Sequence, residues 1–355
     1  MITTILSFIL VISILVFFHE LGHFLAAKSV GVRVEKFYLG FNFFGLGWKK
    51  EYKGTEYGIG LFPLGGYVKV AGIIDESLNT ENSIAPDEFH SKNTFQQIWI
   101  LSAGVLMNFI LAIFIFSYLT YSNGINEPSS EAIIGAVYPD TPAAELGLKE
   151  NDKIISINGN IISDWVSMTN QIHSNPEQII TINWKRNKEK LNGSIKTISN
   201  PQLIGDEIIN QGILGISPIL YHRDATFFES IQDGFKQTYY FLNLTYRSLI
   251  ALLKGNVSMK EMAGPIMIAK IAGDTASAGI HALLGLMAFI SINLGFINIL
   301  PIPGLDGGHI FISLIEGILG RDIPIKIKMA IQQVGMLILL ILFFTVMVND
   351  IQRLL

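Results

Sequence analysis

The sequence contains no cysteine among its 355 residues. A disulfide, a thiolate metal ligand and a cysteine nucleophile are therefore excluded, and any metal must bind through histidine and carboxylate side chains. Charge is also scarce, with 15% charged residues against 50% hydrophobic ones. The net charge of −4 gives no reason to expect a nucleic-acid partner. What is left is a hydrophobic chain long enough for two or more domains.

Two long stretches lack charge altogether. No charged residue occurs between Met1 and Phe18, and none occurs from Phe95 to Asn126. A membrane-spanning helix needs about 20 mostly apolar residues. We therefore predict four spans, near residues 1–27, 98–121, 282–300 and 329–348. A cleaved signal peptide is disfavoured for the first, because a basic leading region and a small-residue cleavage site are both missing.

Basic residues are concentrated just after the first predicted span, at Lys28, Arg33, Lys36, Lys49, Lys50, Lys53 and Lys69. Such a bias marks the cytoplasmic side, so the N-terminus is expected outside, and four spans return the C-terminus to the outside as well. Residues 225–254 carry scattered charges and are predicted to form an amphipathic helix on the membrane surface. A span there would reverse the orientation of everything that follows. Residues 255–275 are expected to be a connecting segment.

The first charged and ionisable residues of the chain form the pattern His19-Glu20-Leu21-Gly22-His23. On a helix His19 and His23 lie on one face, so both imidazoles can meet one metal ion, and Glu20 is placed to take a proton from a water there. This is the pattern of a zinc hydrolase, although it also arises by chance. Ionisable groups at membrane depth are costly unless paired or bound to a metal, so we predict a zinc site with Glu20 as the catalytic acid/base.

Two histidines leave a catalytic zinc short of one protein ligand, with a further position open to water. Asp306 is the predicted third ligand, because it follows the third span on the same side of the membrane as the histidines. Two alternatives stay open: its Pro-Gly-x-Asp-Gly context is also ordinary turn chemistry, and His309 is a rival ligand. Asn298 is either a residue that ends a helix or an amide that holds the substrate backbone or the developing oxyanion.

The apolar segment Thr55–Val70 is punctuated by glycines and a proline and predicts two strands. It is too apolar for a plain surface loop. We interpret it as a β-hairpin dipping toward the membrane beside the histidine helix, with an ordinary hairpin on the cytoplasmic face as the alternative.

Residues 131–220 have a soluble character. Strands are predicted at 132–138, 152–158, 179–185 and 191–198, with short helices at 141–147 and 163–173. This order resembles a circularly permuted bacterial PDZ domain, most closely in Pro139–Ala144 and Gly147–Ile154. The resemblance implies that the stretch Gly212–Ile216 forms the strand beside a peptide groove. Leu214, Gly215 and Ile216 would then line the site where a peptide adds as an extra strand.

The whole set of motifs resembles the site-2 protease family of intramembrane zinc metalloproteases, and most closely its bacterial regulator-of-sigma-E type. The motifs are His19–His23, Asn298–Gly307, Pro63–Tyr67 and Gly264–Ile266. The resemblance implies one zinc per chain on His19, His23 and Asp306, with Asn298 contacting substrate. It also implies a membrane-reentrant hairpin that meets substrate through its glycines Gly58, Gly60, Gly65 and Gly66. The chain departs from the best-known members in having one PDZ unit where they have two, and it has Val105 where proline is usual in the group.

The resemblance further implies single-span membrane proteins as substrates, such as an anti-sigma factor cut after a first extracytoplasmic cleavage. The expected fold is a polytopic α-helical protein of the bacterial inner membrane, with four transmembrane helices, a membrane-associated β-hairpin and one inserted α/β PDZ domain. The expected regions are residues 1–125, an extracytoplasmic PDZ domain at 126–222, a membrane-surface helix and connector at 223–275, and a C-terminal membrane part at 276–355. The active site is expected toward the cytoplasmic side.

Two rival functions remain open. One is a membrane-anchored PDZ adaptor with a non-catalytic metal site, and the other is a zinc transporter or sensor. Neither the substrate nor the oligomeric state can be predicted from the sequence.

Overall fold

A computed structural model describes residues 2–42, 47–73, 85–204 and 207–354. The helices are α1 (Ile2–Ser29), α2 (Thr94–Asn123), α3 (Pro142–Glu145), α4 (Trp165–His173), α5 (Phe227–Leu253), α6 (Pro265–Ala278), α7 (Ile280–Ile299), α8 (Asp306–Leu319) and α9 (Ile325–Leu354). The strands before α2 are β1 (Val34–Phe41), β2 (Gly47–Tyr52), β3 (Thr55–Gly60) and β4 (Phe62–Val70). Those after it are β5 (Ile125–Pro128), β6 (Ile134–Val137), β7 (Lys153–Ile157), β8 (Asn160–Ile161), β9 (Ile179–Arg186), β10 (Glu189–Lys196), β11 (Ile198–Ile204), β12 (Glu207–Ile213), β13 (Ile216–Pro218) and β14 (Leu220–Arg223).

The chain divides into two compact units. The first contains residues 1–119, 228–246 and 258–355, and we call it the helical unit. The second contains residues 120–227 and 247–257, and we call it the β-rich unit.

Four helices of the described chain are long and apolar enough to cross a membrane, namely α1, α2, α7 and α9. They coincide with the four segments that the sequence predicts as spans. The long helix α5 is not among them. Its charged residues interrupt the apolar pattern, which agrees with the sequence prediction of an amphipathic helix rather than an apolar one.

Close contact between α1 and α2 depends on small residues. A side chain at Gly22 of α1 would overlap the carbonyl of Ala103 on α2. Elsewhere along α1, Val11 and Leu15 pack with Met287 and Ile292 of α7 in one buried apolar cluster. Lipid tails are as apolar as leucine, so the hydrophobic effect does not drive helices together inside a membrane. Close van der Waals packing is therefore a main source of helix association there. The sequence Ser102-Ala103-Gly104 consists of small residues, which predict such a close approach of another helix.

Strands β1 to β4 form one sheet in the order β2-β3-β1-β4. Strand β1 runs parallel to β3 and antiparallel to β4. The prediction of a hairpin over Thr55–Val70 is therefore wrong: its two strands exist, but β1 lies between them. The hairpin in this sheet joins β2 to β3 through a turn in which Lys53 and Gly54 both have positive φ, the conformation that favours tight two-residue turns.

The segment expected to be a connector, residues 255–275, is largely helical in the structure. Helix α6 begins at Pro265, and Asp350 of α9 accepts hydrogen bonds from the backbone N–H groups of Gly264, Ile266 and Met267. These amides are the ones that a helix start leaves without intrahelical partners. Because the capping carboxylate is far away in the chain, the local sequence did not indicate the helix.

The β-rich unit has its own core. Ile134, Ile157, Met168, Ile180 and Ile182 are fully buried in it. Strands β7 to β10 form a sheet in the order β10-β9-β7-β8, and Asp164 caps α4 by accepting a hydrogen bond from the Ser167 backbone N–H. Strands β7, β9 and β10 and helix α4 lie where the sequence predicts them, within a few residues at each end, whereas the short strand β8 was not predicted.

The stretch Gly212–Ile216 is not one continuous strand, contrary to prediction. Gly212 and Ile213 end β12, Ile216 begins β13, and Gly215 between them has a φ of +80°. That backbone conformation breaks a strand and is readily adopted only by glycine. Leu214 is buried in the core of the unit. Strand β13 pairs with β6, and no second described strand pairs with it.

Candidate metal centre

Two buried histidines of α1 and a carboxylate at the start of α8 converge on one point. The Nε2 atoms of His19 and His23 are 3.3 Å apart. Asp306 Oδ2 lies 3.1 Å from the Nε2 of His19 and 3.4 Å from that of His23. Apart from these imidazoles, the described residues offer Oδ2 no hydrogen-bond donor, although this atom is buried. The structure thus brings together the three side chains that the sequence predicts as ligands.

The turn between α7 and α8 explains why Asp306 reaches the histidines. Pro301 and Pro303 prevent α7 from continuing as a helix. A side chain at Gly307 would overlap the backbone carbonyl of Leu300, so glycine is required for the start of α8 to fold back against the end of α7. Asp306 is then the first residue of α8.

These three atoms fit a metal ion. Zinc binds histidine nitrogen at about 2.0–2.1 Å and carboxylate oxygen at about 2.0–2.2 Å, so neighbouring ligand atoms of a tetrahedral site lie roughly 3.3–3.5 Å apart. The separations found here, between 3.1 and 3.4 Å, are close to that spacing. A buried carboxylate oxygen with no donor other than two metal-binding imidazoles is also the group that a cation would satisfy.

The second nitrogen of each imidazole is held by α2. His23 Nδ1 is 2.8 Å from the carbonyl oxygen of Ile100, and His19 Nδ1 is 3.1 Å from Nδ2 of Asn108. Both partners are fully buried. Partners of this kind orient the imidazoles of metal sites and fix the ring nitrogen that carries the proton. In the sequence, Asn108 is a polar residue inside an uncharged predicted span, a position that indicates only a hydrogen bond between helices.

Gly104 of α2 lies directly against the two imidazoles. A β-carbon there would overlap His23 Nε2 and lie 2.8 Å from His19 Cε1. Glycine is therefore required at this position for α2 to lie beside the histidines. In the sequence, Gly104 belongs to a small-residue segment inside an uncharged span, a pattern that indicates only a helix contact.

Two further predicted residues lie at the edge of this centre. Glu20 accepts a hydrogen bond from the Val68 backbone N–H of β4, with an N–O distance of 2.9 Å. Asn298, at the end of α7, has its Nδ2 atom 3.5 Å from His19 Nε2. Val68 was not predicted as part of the site, because only the folded sheet brings β4 beside α1.

His309, the rival ligand, lies apart from this cluster. Among the described residues, the group whose ligand atoms all lie within 4.8 Å of one another consists of His19, His23 and Asp306. His309 instead has its Nε2 3.2 Å from Nε2 of Gln332. It lines a separate small cavity together with His90, Glu316 and Lys328.

The glycines predicted to contact substrate have a packing role in the sheet. A side chain at Gly58 would overlap the ring of Tyr38, one at Gly60 would overlap the backbone of Phe41, and one at Gly66 would lie 2.6 Å from the Tyr38 carbonyl oxygen. Gly65 has a φ of +106°. Each glycine is thus required by the close pairing of β1 with its two neighbours or by backbone conformation.

A two-histidine, one-carboxylate cluster with an adjacent glutamate, placed on apolar helices long enough to cross a membrane, fits the class of zinc metalloproteases of membranes. Comparison with known proteins agrees with this class. The model of Peptidase family M50 matches residues 7–342, and the chain belongs to this family.

The relatives cover nearly the whole chain. A Campylobacter jejuni protein named "Putative zinc metalloprotease Cj1068" is 36% identical in an alignment of 356 positions, which covers 98% of this chain and 93% of that protein. Zinc metalloprotease RasP of Bacillus licheniformis is 30% identical and covers 99% of each chain. Regulator of sigma E protease of Haemophilus influenzae is 29% identical and covers 98% of each chain. Zinc is therefore the metal that these residues would hold.

Solved PDZ-domain structures match a smaller part of the chain. The PDZ domain of an SdrC-like protein from Listeria monocytogenes is 22% identical and covers 27% of this chain and 94% of its own, with a TM-score of 0.21. That score is too low to establish the fold of the matched region.

Proposed function

We propose that this metalloprotease is an intramembrane endopeptidase that hydrolyses peptide bonds in or near the transmembrane segments of single-span membrane proteins. The observation that carries the proposal is the convergence of His19, His23 and Asp306, at 3.1–3.4 Å, on helices long and apolar enough to cross a membrane. We assign one zinc ion per chain to these three ligands. Ionisable groups at membrane depth are functional by default, because their burial is costly without a partner or a metal.

Zinc, when bound, polarises the scissile carbonyl and makes hydroxide available near neutral pH. Glu20 takes the proton from the attacking water and then delivers it to the leaving amine, a role typical of a carboxylate that sits beside such a centre. The amide of Asn298, close to His19, donates a hydrogen bond to the substrate backbone or to the developing oxyanion. Asn108 and the Ile100 carbonyl hold the histidines in place during turnover.

Strand β4 is the element that would hold an unwound substrate. A transmembrane helix keeps its carbonyls in intrachain hydrogen bonds, so the segment to be cut must first become extended. Strand β4 is at the edge of its sheet, with β1 on one side. The N–H of Val68 points away from β1 toward Glu20, which lies next to this edge. A substrate strand pairing with β4 would thus be delivered beside Glu20, and helix-breaking residues would favour cleavage.

The β-rich unit is proposed to be a PDZ domain that lies outside the cytoplasmic membrane. Both chain termini are proposed to lie on the same side. Support comes from its order of strands and helices and from β13, which has β6 as its single described neighbour and leaves an edge near Ile216 for a peptide. The name of the Haemophilus influenzae relative concerns regulation of sigma E. By analogy, an anti-sigma factor already shortened by a first cleavage is the proposed substrate class for this chain.

The test compares wild type with Glu20→Gln, both purified in detergent, on a shortened single-span substrate with a helix-breaking centre. We expect the wild type to cleave it, a chelator to abolish cleavage, and the variant to retain zinc while its kcat falls about 10²–10⁴-fold. Equal cleavage by both proteins would contradict the assigned role of Glu20. No cleavage by either, together with binding of a partner peptide, would favour a membrane-anchored adaptor with a non-catalytic metal site.

A further inference from the structure

Asn108 of α2 is a fully buried amide whose two ends have different surroundings. Its Nδ2 atom is 3.1 Å from His19 Nδ1. Its Oδ1 atom is also buried and has no hydrogen-bond partner among the described residues. A buried amide oxygen without a partner is costly, and exchanging the two ends of the amide would give this oxygen the imidazole N–H as a donor.

The orientation of the Asn108 amide decides which ring nitrogen of His19 is protonated and which one can bind a metal. A neutral imidazole carries one proton, so one ring nitrogen donates and the other accepts. If Asn108 Nδ2 donates to Nδ1, the proton of His19 must sit on Nε2, the atom that faces Asp306, and this nitrogen cannot bind a metal. If the amide turns by half a rotation, Oδ1 accepts from Nδ1–H and the Nε2 lone pair is free. The amide oxygen and nitrogen are nearly equal in size, so the turn needs no other movement.

We propose that Asn108 is a positioning residue that holds His19, through Oδ1, in the form protonated at Nδ1. The proposal rests on the zinc site proposed above and deepens it. His23 illustrates the same arrangement without ambiguity: its Nδ1 lies 2.8 Å from the Ile100 carbonyl oxygen, which only accepts, so the proton must be on Nδ1. One helix, α2, thus supplies both acceptors, one from its backbone and one from a side chain.

The backbone of Asn108 is itself fixed. The Ser291 hydroxyl of α7 donates a hydrogen bond of 2.8 Å to the Asn108 carbonyl oxygen. Gly295, one turn further along α7, packs so closely that an added β-carbon would lie 3.4 Å from Asn108 Cβ. Helix α7 therefore contacts the backbone and Cβ of Asn108, while the Asn108 amide faces His19. A residue that only joined two helices would not need an amide directed at the imidazole.

The first test measures zinc affinity by competition with a chelator in Asn108→Leu, Asn108→Asp and Asn293→Leu. Loss of such a supporting partner typically weakens metal binding about 10–100-fold, which is the fall expected for Asn108→Leu. Asn108→Asp restores an acceptor and is expected to bind zinc as wild type does. Asn293 is the matched control, a polar amide on α7 that donates to the Phe289 carbonyl in its own helix. Its replacement is expected to leave zinc affinity unchanged.

The second test needs no variant of Asn108. In zinc-free wild type labelled with ¹⁵N-histidine, we expect the His19 signal, assigned with a His19 variant, to report a protonated Nδ1. A proton on Nε2 would overturn the proposal, and so would wild-type zinc affinity in Asn108→Leu. Either result, obtained while wild type still binds zinc through His19, would leave the proposed zinc site standing. Failure of wild type to bind zinc at all would overturn both.

Discussion

Two carboxylates of the helical unit lie in opposite surroundings, one at the start of α8 and one near the end of α9. Asp350 is fully buried, and its two oxygens accept three backbone hydrogen bonds of 2.9–3.0 Å from the start of α6. Asp306 has a buried oxygen whose neighbours at 3.1 and 3.4 Å are two imidazole nitrogens. The first carboxylate is complete within the protein, whereas the second would be completed by the zinc ion that we propose for this site.

This difference separates a structural carboxylate from a functional one. Burial of a polar group is tolerated when hydrogen bonds replace its water, as they do at Asp350. At Asp306 the near neighbours of the buried oxygen are two imidazole nitrogens, which is why we propose this carboxylate as a metal ligand. Removal of each side chain should therefore affect different measurable quantities, metal binding for Asp306 and stability for Asp350.

The largest effect is expected for Asp306→Ala. Without the third ligand, the purified protein should lose its zinc and cleavage should fall to the background rate, as measured by metal analysis and by the substrate assay. Asp274, an exposed carboxylate on α6, provides the control, since Asp274→Ala should retain both. Full activity in Asp306→Ala would show that another residue is the ligand.

Gly104→Ala tests how tightly the metal centre is packed. The new methyl group would lie against both imidazoles and displace them. Overpacking of this kind costs about 1–3 kcal/mol, so zinc affinity should fall about 10–100-fold in a competition assay. The matched control is Gly285→Ala on α7, where the nearest atom to an added β-carbon is 4.0 Å away. Equal zinc affinity in the two variants would contradict the described geometry.

Asp350→Ala tests the structural carboxylate of this pair. Three backbone donors lose their charged acceptor, so the free energy of unfolding should fall by about 2–4 kcal/mol. Zinc content should stay at the wild-type level. Asp350→Asn keeps one acceptor oxygen. Its unfolding temperature should therefore lie between those of the wild type and Asp350→Ala. Loss of zinc with unchanged stability would reverse the roles assigned here to the two carboxylates.

The smallest effect on activity is expected in the β-rich unit. Asp152 of this unit is a third carboxylate, and it is fully buried. Arg186 binds both of its oxygens at 2.8 Å. Arg186→Leu should lower the free energy of unfolding by about 1–3 kcal/mol. Cleavage of a shortened substrate should not change. The exposed pair of Lys153 with Glu131 is the control, because surface ion pairs contribute about 0–1 kcal/mol. A larger loss in Lys153→Leu than in Arg186→Leu would contradict this account.

The sequence predicted the parts of the fold that are encoded locally. His19 and His23 are one helical turn apart, and the uncharged runs around them and around Asn108 mark α1 and α2 without further information. Asp306 could be chosen because its place after a predicted span puts it on the same membrane side. In the β-rich unit, turn residues such as Asn158-Gly159 marked the strand ends.

The parts that were missed depend on contacts between distant residues. Strand β1 lies between β3 and β4, and no local pattern specifies that order. The start of α6 depends on Asp350, which is 86 residues from Gly264 in the chain. Asn108 lies 89 residues from His19, so its role at the imidazole could not be separated from helix packing. Val68 reaches Glu20 only once the sheet has formed.

The most direct test of the zinc site is anomalous diffraction at the zinc absorption edge from crystals of the wild-type protein. We expect one peak per chain, about 2.0–2.2 Å from the Nε2 atoms of His19 and His23 and from a carboxylate oxygen of Asp306. A peak beside His309 and His90, or none at the two histidines of α1, would contradict the assignment of these ligands and with it the proposed intramembrane chemistry.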